Sequence, residues 1–100
     1  MELNNSGILD KVNFLMLLAK KGQYSQEELD LVKDLMSEHS DHIRLGKVFG
    51  YSVSDYAFAT LNWLSTDETK TIFNQQYNQL SPKRKQIVSE LIDKNLYMQY

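Results

Sequence analysis

Cysteine is absent from the 100 residues of this chain. Its absence excludes disulfide bonds, thiolate metal ligands and cysteine nucleophiles, and it is consistent with a reducing compartment. Proline occurs once and glycine four times, so long irregular segments are not expected. The longest apolar run, residues 14–19, is far shorter than the ~20 residues of a membrane-spanning helix. We therefore expect a cytoplasmic protein with no signal peptide and no membrane contact.

The chain has no excess of positive charge. It contains 11 basic and 13 acidic residues, and its net charge is −2. Proteins that bind nucleic acid across their surface are usually strongly basic, so a nucleic-acid partner would require a local patch. Hydrophobic residues make up 42% of the chain and charged residues 24%, which is ordinary for a folded domain. We predict one domain over residues 1–100, with loose tails at 1–6 and 97–100.

Helix start signals divide the chain. Residues 25–28 and 65–68 match the capping-box pattern, in which a serine and a glutamate three residues later cap the first turn. Ser81 followed by Pro82 combines an N-cap with a proline at the first helical position. With Gly22 as a stop signal and apolar residues at helical spacing, these signals predict five helices over about residues 8–21, 26–39, 53–64, 66–80 and 82–96.

The helix that begins at Ser52 or Ser54 is apolar on nearly every side, as a helix at the centre of a core would be. We therefore expect Trp63 in this helix to be substantially buried. Five short helices with short joints predict an all-α fold, either a compact bundle or an orthogonal domain. Residues 42–53 are ambiguous: we predict a short helix over about 42–49 that ends at Gly50, with a pair of short strands as the alternative.

The two histidines, His39 and His42, are three residues apart, so one helix face could present both of them with Asp41 as a zinc or nickel site. No cysteine or third histidine is available to complete the coordination sphere, and the zinc-protease spacing His-Glu-x-x-His is absent. We predict a solvated helix end at this position, with no metal and no other cofactor.

Carboxylate pairs occur at residues 27–28, 67–68 and 90/93. The first two pairs lie in first helical turns, where helix capping accounts for them, and the third lies opposite the apolar stripe of the last helix. The sequence contains no Gly-x-Ser-x-Gly elbow and no glycine-rich phosphate loop. We therefore predict that the protein is not an enzyme.

The first helix carries more apolar residues than one buried stripe accommodates. One set, beginning at Ile8, faces one side, whereas Phe14, Leu17 and Leu18 face another. If the chain covers both sides, the helix is central. Otherwise the second set forms an exposed patch that binds another protein, or a second copy in a homodimer.

Lys83, Arg84 and Lys85 conflict with local electrostatics, because cations in the first turn oppose the helix dipole. These cations are tolerated there if water solvates them or if an anionic group lies nearby. That group could be the acidic second helix of the same chain, a phosphate or an acidic partner. Residues 26–41 carry six acidic residues and one lysine, typical of a solvated face or of a docking face for a basic partner. Tyr51 is a further candidate contact, because surface tyrosines are favoured at interfaces.

A short helix, a glycine turn and a second helix form the predicted pattern around Gly50, with Tyr56 and Ala59 in the second helix. This pattern resembles the helix-turn-helix of small bacterial and phage regulators, and residues 80–88 resemble the helix that often follows such cores. The resemblance implies DNA binding by the second helix. That helix carries no lysine or arginine to contact phosphates or guanine.

These observations favour a non-catalytic helical module that binds a partner protein, such as a regulator, an inhibitor or an immunity-type protein. A helix-turn-helix-like DNA-binding regulator is the alternative. The predicted partner contacts are Phe14, Leu17, Leu18, Tyr51, Lys83, Arg84 and Lys85.

Overall fold

A computed structural model describes residues 7–37, 47–48 and 50–99. The predicted all-α fold is confirmed, and a helix is present in each of the five predicted regions that begin at about residues 8, 26, 53, 66 and 82. In chain order the elements are α1 (Ile8–Lys21), α2 (Gln26–Leu35), β1 (Lys47–Val48), β2 (Tyr51–Ser52), α3 (Val53–Leu64), α4 (Asp67–Tyr77), α5 (Pro82–Lys94) and the short 3-10 helix η1 (Leu96–Gln99).

Capping side chains and a glycine define the ends of the first two helices. Gly22 ends α1 in the left-handed conformation, with φ of 74°, which glycine adopts without steric cost. Its N–H donates to the Leu18 carbonyl at 3.0 Å. Ser25 and Glu28 form the predicted capping box at the start of α2, because each side chain accepts a hydrogen bond from the other residue's backbone N–H.

The second predicted capping box is shifted by one residue. Ser65 adopts the left-handed conformation, with φ of 56°, and terminates α3. The N-cap of α4 is therefore Thr66, and its reciprocal partner is Thr69 instead of Glu68. A single residue cannot end one helix in the left-handed region and also take the extended conformation that begins the next.

Strands β1 and β2 form a small antiparallel ladder, in which Lys47 pairs with Ser52 and Val48 with Tyr51. Gly50 lies in the connection with φ of 85°, where a side chain would be strained. The predicted helix over 42–49 is thus wrong at residues 47–48, and the strand alternative is correct there. Residues 42–46 and 49 lie outside the described part of the chain.

The C-terminal segment also differs from the prediction. Residues 97–99, which the sequence predicts to be a loose tail, form 3-10 helix η1 together with Leu96. Asn95 ends α5 in the left-handed conformation, so the chain turns back toward the core. The Tyr97 ring then lies 4.9 Å from the Trp63 ring, centroid to centroid. The predicted tail at 1–6 and residue 100 lie outside the described residues.

Helix α3 occupies the centre of the molecule, as its apolar circumference predicts. Every residue from Val53 to Leu61 is buried, and α3 packs against α1, α2, α4 and α5. Trp63 is half-buried, and its Nε1–H donates to the Ile92 carbonyl at 3.1 Å. The core residues of the other helices are Val12, Leu15, Met16, Leu18, Leu29, Val32, Leu35, Met36, Phe73, Val88 and Leu91.

Candidate functional site

An ion pair joins the beginnings of two helices that are distant in sequence. Arg84, in the first turn of α5, donates from Nη2 to Asp55 Oδ1 at 2.9 Å. Asp55 lies in the first turn of α3, and 6% of its side chain is exposed. Its other oxygen accepts from the Ser52 backbone N–H at 3.0 Å. The buried carboxylate is thus neutralised by a cation and hydrogen-bonded, as a charge inside a core must be.

Ser54 extends this network to a third helix. Its hydroxyl accepts from Arg84 Nη2 at 3.1 Å and donates to the Met36 carbonyl at the end of α2. The last carbonyls of a helix have no partner within the helix, so this bond satisfies one that would otherwise be buried without one. The network therefore fixes α5 and the end of α2 to the start of α3.

The network leaves part of the Arg84 guanidinium free. Guanidinium carries five N–H donors, and only Nη2 donates to a side chain within the described part of the protein. The Nε and Nη1 hydrogens make no protein hydrogen bond there, and 28% of the side chain is exposed. Arg84 is therefore held in place through Nη2, while its Nε and Nη1 donors remain available to a ligand.

Arg84 lines a groove of about 410 Å³. One wall is formed by Lys33 of α2 and by Met36 and Ser37 immediately after it. The opposite wall is formed by α4 and the turn that follows it, and Phe58 of α3 provides part of the floor. The residues of that second wall are Ile72, Gln76, Gln79 and Leu80.

The groove has an apolar interior and a polar, cationic rim. Phe58 is buried and Ile72 is half-buried, whereas Lys33 and Gln76 are exposed. Lys33 makes no ion pair with any described residue. None of the described lining residues carries a carboxylate, so the lining favours a ligand that combines apolar surface with negative charge.

The three basic residues at the start of α5 do not form one patch. Lys83 is exposed, and Lys85 lies with Nζ 5.8 Å from the centre of the Tyr77 ring, within cation–π range. The Tyr77 hydroxyl donates to the Lys85 carbonyl at 3.0 Å. The anionic neighbour of Arg84 is Asp55 of α3 and not a residue of acidic α2, which was one of the alternatives that the sequence left open.

The apolar surplus of α1 is largely used by the protein's own core. Leu18 is 3% exposed, and Phe14 is half-buried against the core. Helix α1 packs on α3 and on η1, so the chain itself covers part of this apolar surface. Leu17 is 55% exposed and Leu9 58%. Leu18 therefore cannot be a partner contact, and Leu17 is the predicted patch residue that faces solvent.

Tyr51 is buried, which corrects its prediction as an exposed interface tyrosine. Its side chain is 7% exposed, and its ring meets the Tyr56 ring edge-to-face at 6.0 Å. Lys94 Nζ lies 5.1 Å from the Tyr51 ring centre. Hydrogen bonding with the Tyr51 side chain is the main cause that raises the pKa of Lys94 above its ordinary value.

The candidate catalytic and metal-binding positions give no reactive geometry among the described residues. Hydrogen bonding from the Ser25 backbone N–H is the main reason that the pKa of Glu28 lies below 4.5, whereas a general acid needs a raised pKa. No group of three or more potential metal ligands occurs within residues 7–37, 47–48 and 50–99. His39, Asp41 and His42 lie outside those ranges.

The burial of α3 does not fit the helix-turn-helix resemblance. Its second helix corresponds to α3, whose residues 53–61 are all buried. A recognition helix must present its side chains to the major groove, and α3 instead contacts the four other α-helices. This helix therefore cannot contact DNA in the folded protein.

The comparisons with known proteins supply no relative. No protein-family model, curated protein or solved structure matches this chain. Among the described residues, none of the helices has both the length and the apolar character needed to cross a bilayer.

Sequence reasoning identified Arg84 but missed the rest of the groove. Lys33, Gln76 and Leu80 lie on different elements, and nothing in their local sequence indicates that they share a surface. One signal was available: Asp55 is the only charged residue of the otherwise apolar α3. A lone carboxylate in a buried helix requires a buried cation, and the dipole conflict at residues 83–85 indicated where that cation is.

Proposed function

We propose that this protein is a non-catalytic protein-binding module, acting as a regulator, an inhibitor or an immunity-type protein, and that it binds its partner in the groove between α2 and α4. The observation that carries this proposal is the composition of the groove. Buried Phe58 and half-buried Ile72 lie beneath exposed Lys33 and Gln76. An apolar centre with a polar rim is the usual anatomy of a protein interface.

The rigidity of the groove supports recognition without rearrangement. Arg84 anchors its end through two hydrogen bonds to α3, and Ser54 fixes the end of α2. Walls that are held in place before binding reduce the ordering cost of association.

The chemistry of the lining supports binding over catalysis. Its described side chains comprise two cations, two amides, a serine and apolar groups. A hydrolase needs a positioned base beside its nucleophile, and the described residues of this lining include Ser37 but neither a carboxylate nor an imidazole.

Photo-crosslinking in the cells that produce the protein tests the proposal. A benzophenone amino acid at Gln76 faces the groove, and the same group at Gln75 provides the matched control, because Gln75 is also exposed on α4 but does not line the groove. We expect a discrete protein adduct from position 76 that is absent from position 75. Adducts of equal yield at both positions, or none at position 76, would contradict the proposal.

A further inference from the structure

From the geometry of the groove we infer the chemistry of its occupant: a segment of the partner protein that places an aspartate or glutamate carboxylate against Arg84 and Lys33, with a neighbouring apolar side chain over Phe58 and Ile72. This inference rests on the proposed function, and it adds the class of residue that the partner must carry.

Arg84 supports an acidic occupant, because its guanidinium is held in position before any ligand binds. Nη2 is committed to Asp55 at 2.9 Å and to Ser54 at 3.1 Å, so the side chain loses little further entropy when it binds. Nε–H and Nη1–H₂ make no hydrogen bond with the described protein residues. A carboxylate is the side-chain group that accepts two parallel N–H bonds from one edge of a guanidinium.

Charge complementarity is the second argument. Asp55 already balances Arg84, so the unbalanced charge in the lining is that of Lys33, which has no ion-pair partner among the described residues. No described lining residue is acidic, although α2 carries Glu27, Asp30 and Asp34 outside the groove. A basic partner would meet two cations among the described lining residues, and an acidic partner would meet no acidic side chain among them.

The size of the groove is the third argument. Its volume of about 410 Å³ is near the lower limit of ligand pockets, which range from about 300 to 1,000 Å³. An α-helix with its side chains is about 10–12 Å across, so the groove receives side chains, and the backbone of the partner stays outside. The occupant therefore anchors through one or two apolar residues beside its carboxylate.

Selection from a phage-displayed library of random 14-residue peptides on the intact protein tests this inference. We expect enriched peptides to carry Asp or Glu within four positions of a large apolar residue. In heteronuclear NMR titrations, the enriched peptides should shift the amide resonances of Lys33, Gln76 and Gln79.

Two matched charge changes assign the effect to the groove. Gln76→Glu introduces a carboxylate at the rim, and Gln75→Glu introduces the same charge on α4 outside the lining. Lys33→Glu reverses the unpaired cation, with exposed Lys70→Glu as its control. We expect each groove variant to weaken peptide binding about tenfold, since like charges are brought together, and each control to change it less than about twofold.

Arg84→Lys tests the guanidinium itself, because lysine keeps a positive charge near Asp55 but lacks the second edge of donors. We expect weaker binding of the acidic peptides by this variant, with its folded state verified by circular dichroism. Groove-binding peptides without acidic enrichment, or acidic peptides unaffected by Gln76→Glu and Lys33→Glu, would overturn this inference and leave the proposed groove function standing. Failure to select any peptide that perturbs the groove resonances would count against both.

Discussion

Arg84 and Asp55 are 29 residues apart in sequence, yet they form a 2.9 Å ion pair that joins the first turn of α5 to the first turn of α3. The Asp55 side chain is 6% exposed and the Arg84 side chain 28%. This pair also orients Arg84, which belongs both to the network and to the lining of the candidate groove.

The first prediction concerns the stability that this pair provides. Arg84→Ala leaves a buried carboxylate without its cation, and we expect the free energy of unfolding to fall by about 2–3 kcal/mol, somewhat below the loss for a fully buried pair because Arg84 is partly exposed. Exposed Lys83→Ala is the matched control and should change stability by less than about 0.5 kcal/mol. Urea unfolding measures both, and an equal effect of the two substitutions would contradict the assignment.

The second prediction concerns the C-terminal turn. Tyr97→Ala removes the ring 4.9 Å from Trp63, so the half-buried indole gains contact with water. We expect a red shift of tryptophan fluorescence and a loss of about 1–2 kcal/mol of stability. Met98→Ala changes the next residue, which is 67% exposed, and should leave both unchanged. An unshifted spectrum in Tyr97→Ala would show that η1 does not cover Trp63 in solution.

The third prediction uses the pKa of Glu28, which the Ser25 backbone N–H, at 2.9 Å from the carboxylate, and nearby Lys21 hold below 4.5. A folded-state pKa below the unfolded value contributes stability above the unfolded pKa, and this contribution is lost as pH falls through the folded pKa. Glu28→Gln can keep the capping hydrogen bond but loses the charge. At pH 7 we expect it to be less stable than wild type by under about 1 kcal/mol, and the difference should close below pH 4.5.

Lys21→Gln separates the two causes of this pH dependence. The Ser25 backbone hydrogen bond is the larger cause, and the Lys21–Glu28 pair is long, at 3.8 Å, with a mostly exposed lysine. Most of the pH-dependent difference should therefore persist in the Lys21→Gln background. Its disappearance there would assign the effect to the ion pair.

The fourth prediction concerns self-association through α1. Among the described residues, the large apolar side chains that are exposed are Leu9, Leu17 and Met98. Fully burying a leucine contributes roughly 1.5–3 kcal/mol, whereas association costs about 4–15 kcal/mol. We therefore expect sedimentation equilibrium at micromolar concentration to return the monomer mass of 11.7 kDa. A dimer that dissociates on Leu17→Lys would instead support the homodimer predicted from the sequence.

The helical architecture follows from local chemistry, which is why it could be predicted. The Ser25–Glu28 capping box, Gly22 at the end of α1 and Pro82 at the start of α5 act within one turn of the residues they organise. The central position of α3 was also evident, because its apolar circumference is a property of its own sequence.

The surfaces depend on which elements meet, and only the tertiary structure decides this. Leu18 and Leu17 are neighbours of the same residue type, but the first is buried and the second exposed because α3 and η1 cover one side of α1. Tyr51 is buried because β2 packs against α3, where the Tyr51 ring meets the Tyr56 ring. The groove combines residues of α2, α3, α4 and α5, whose joint surface depends on long-range packing. The sequence thus determined the helices and the central one among them, and packing decided which charges pair and which side chains remain available to a partner.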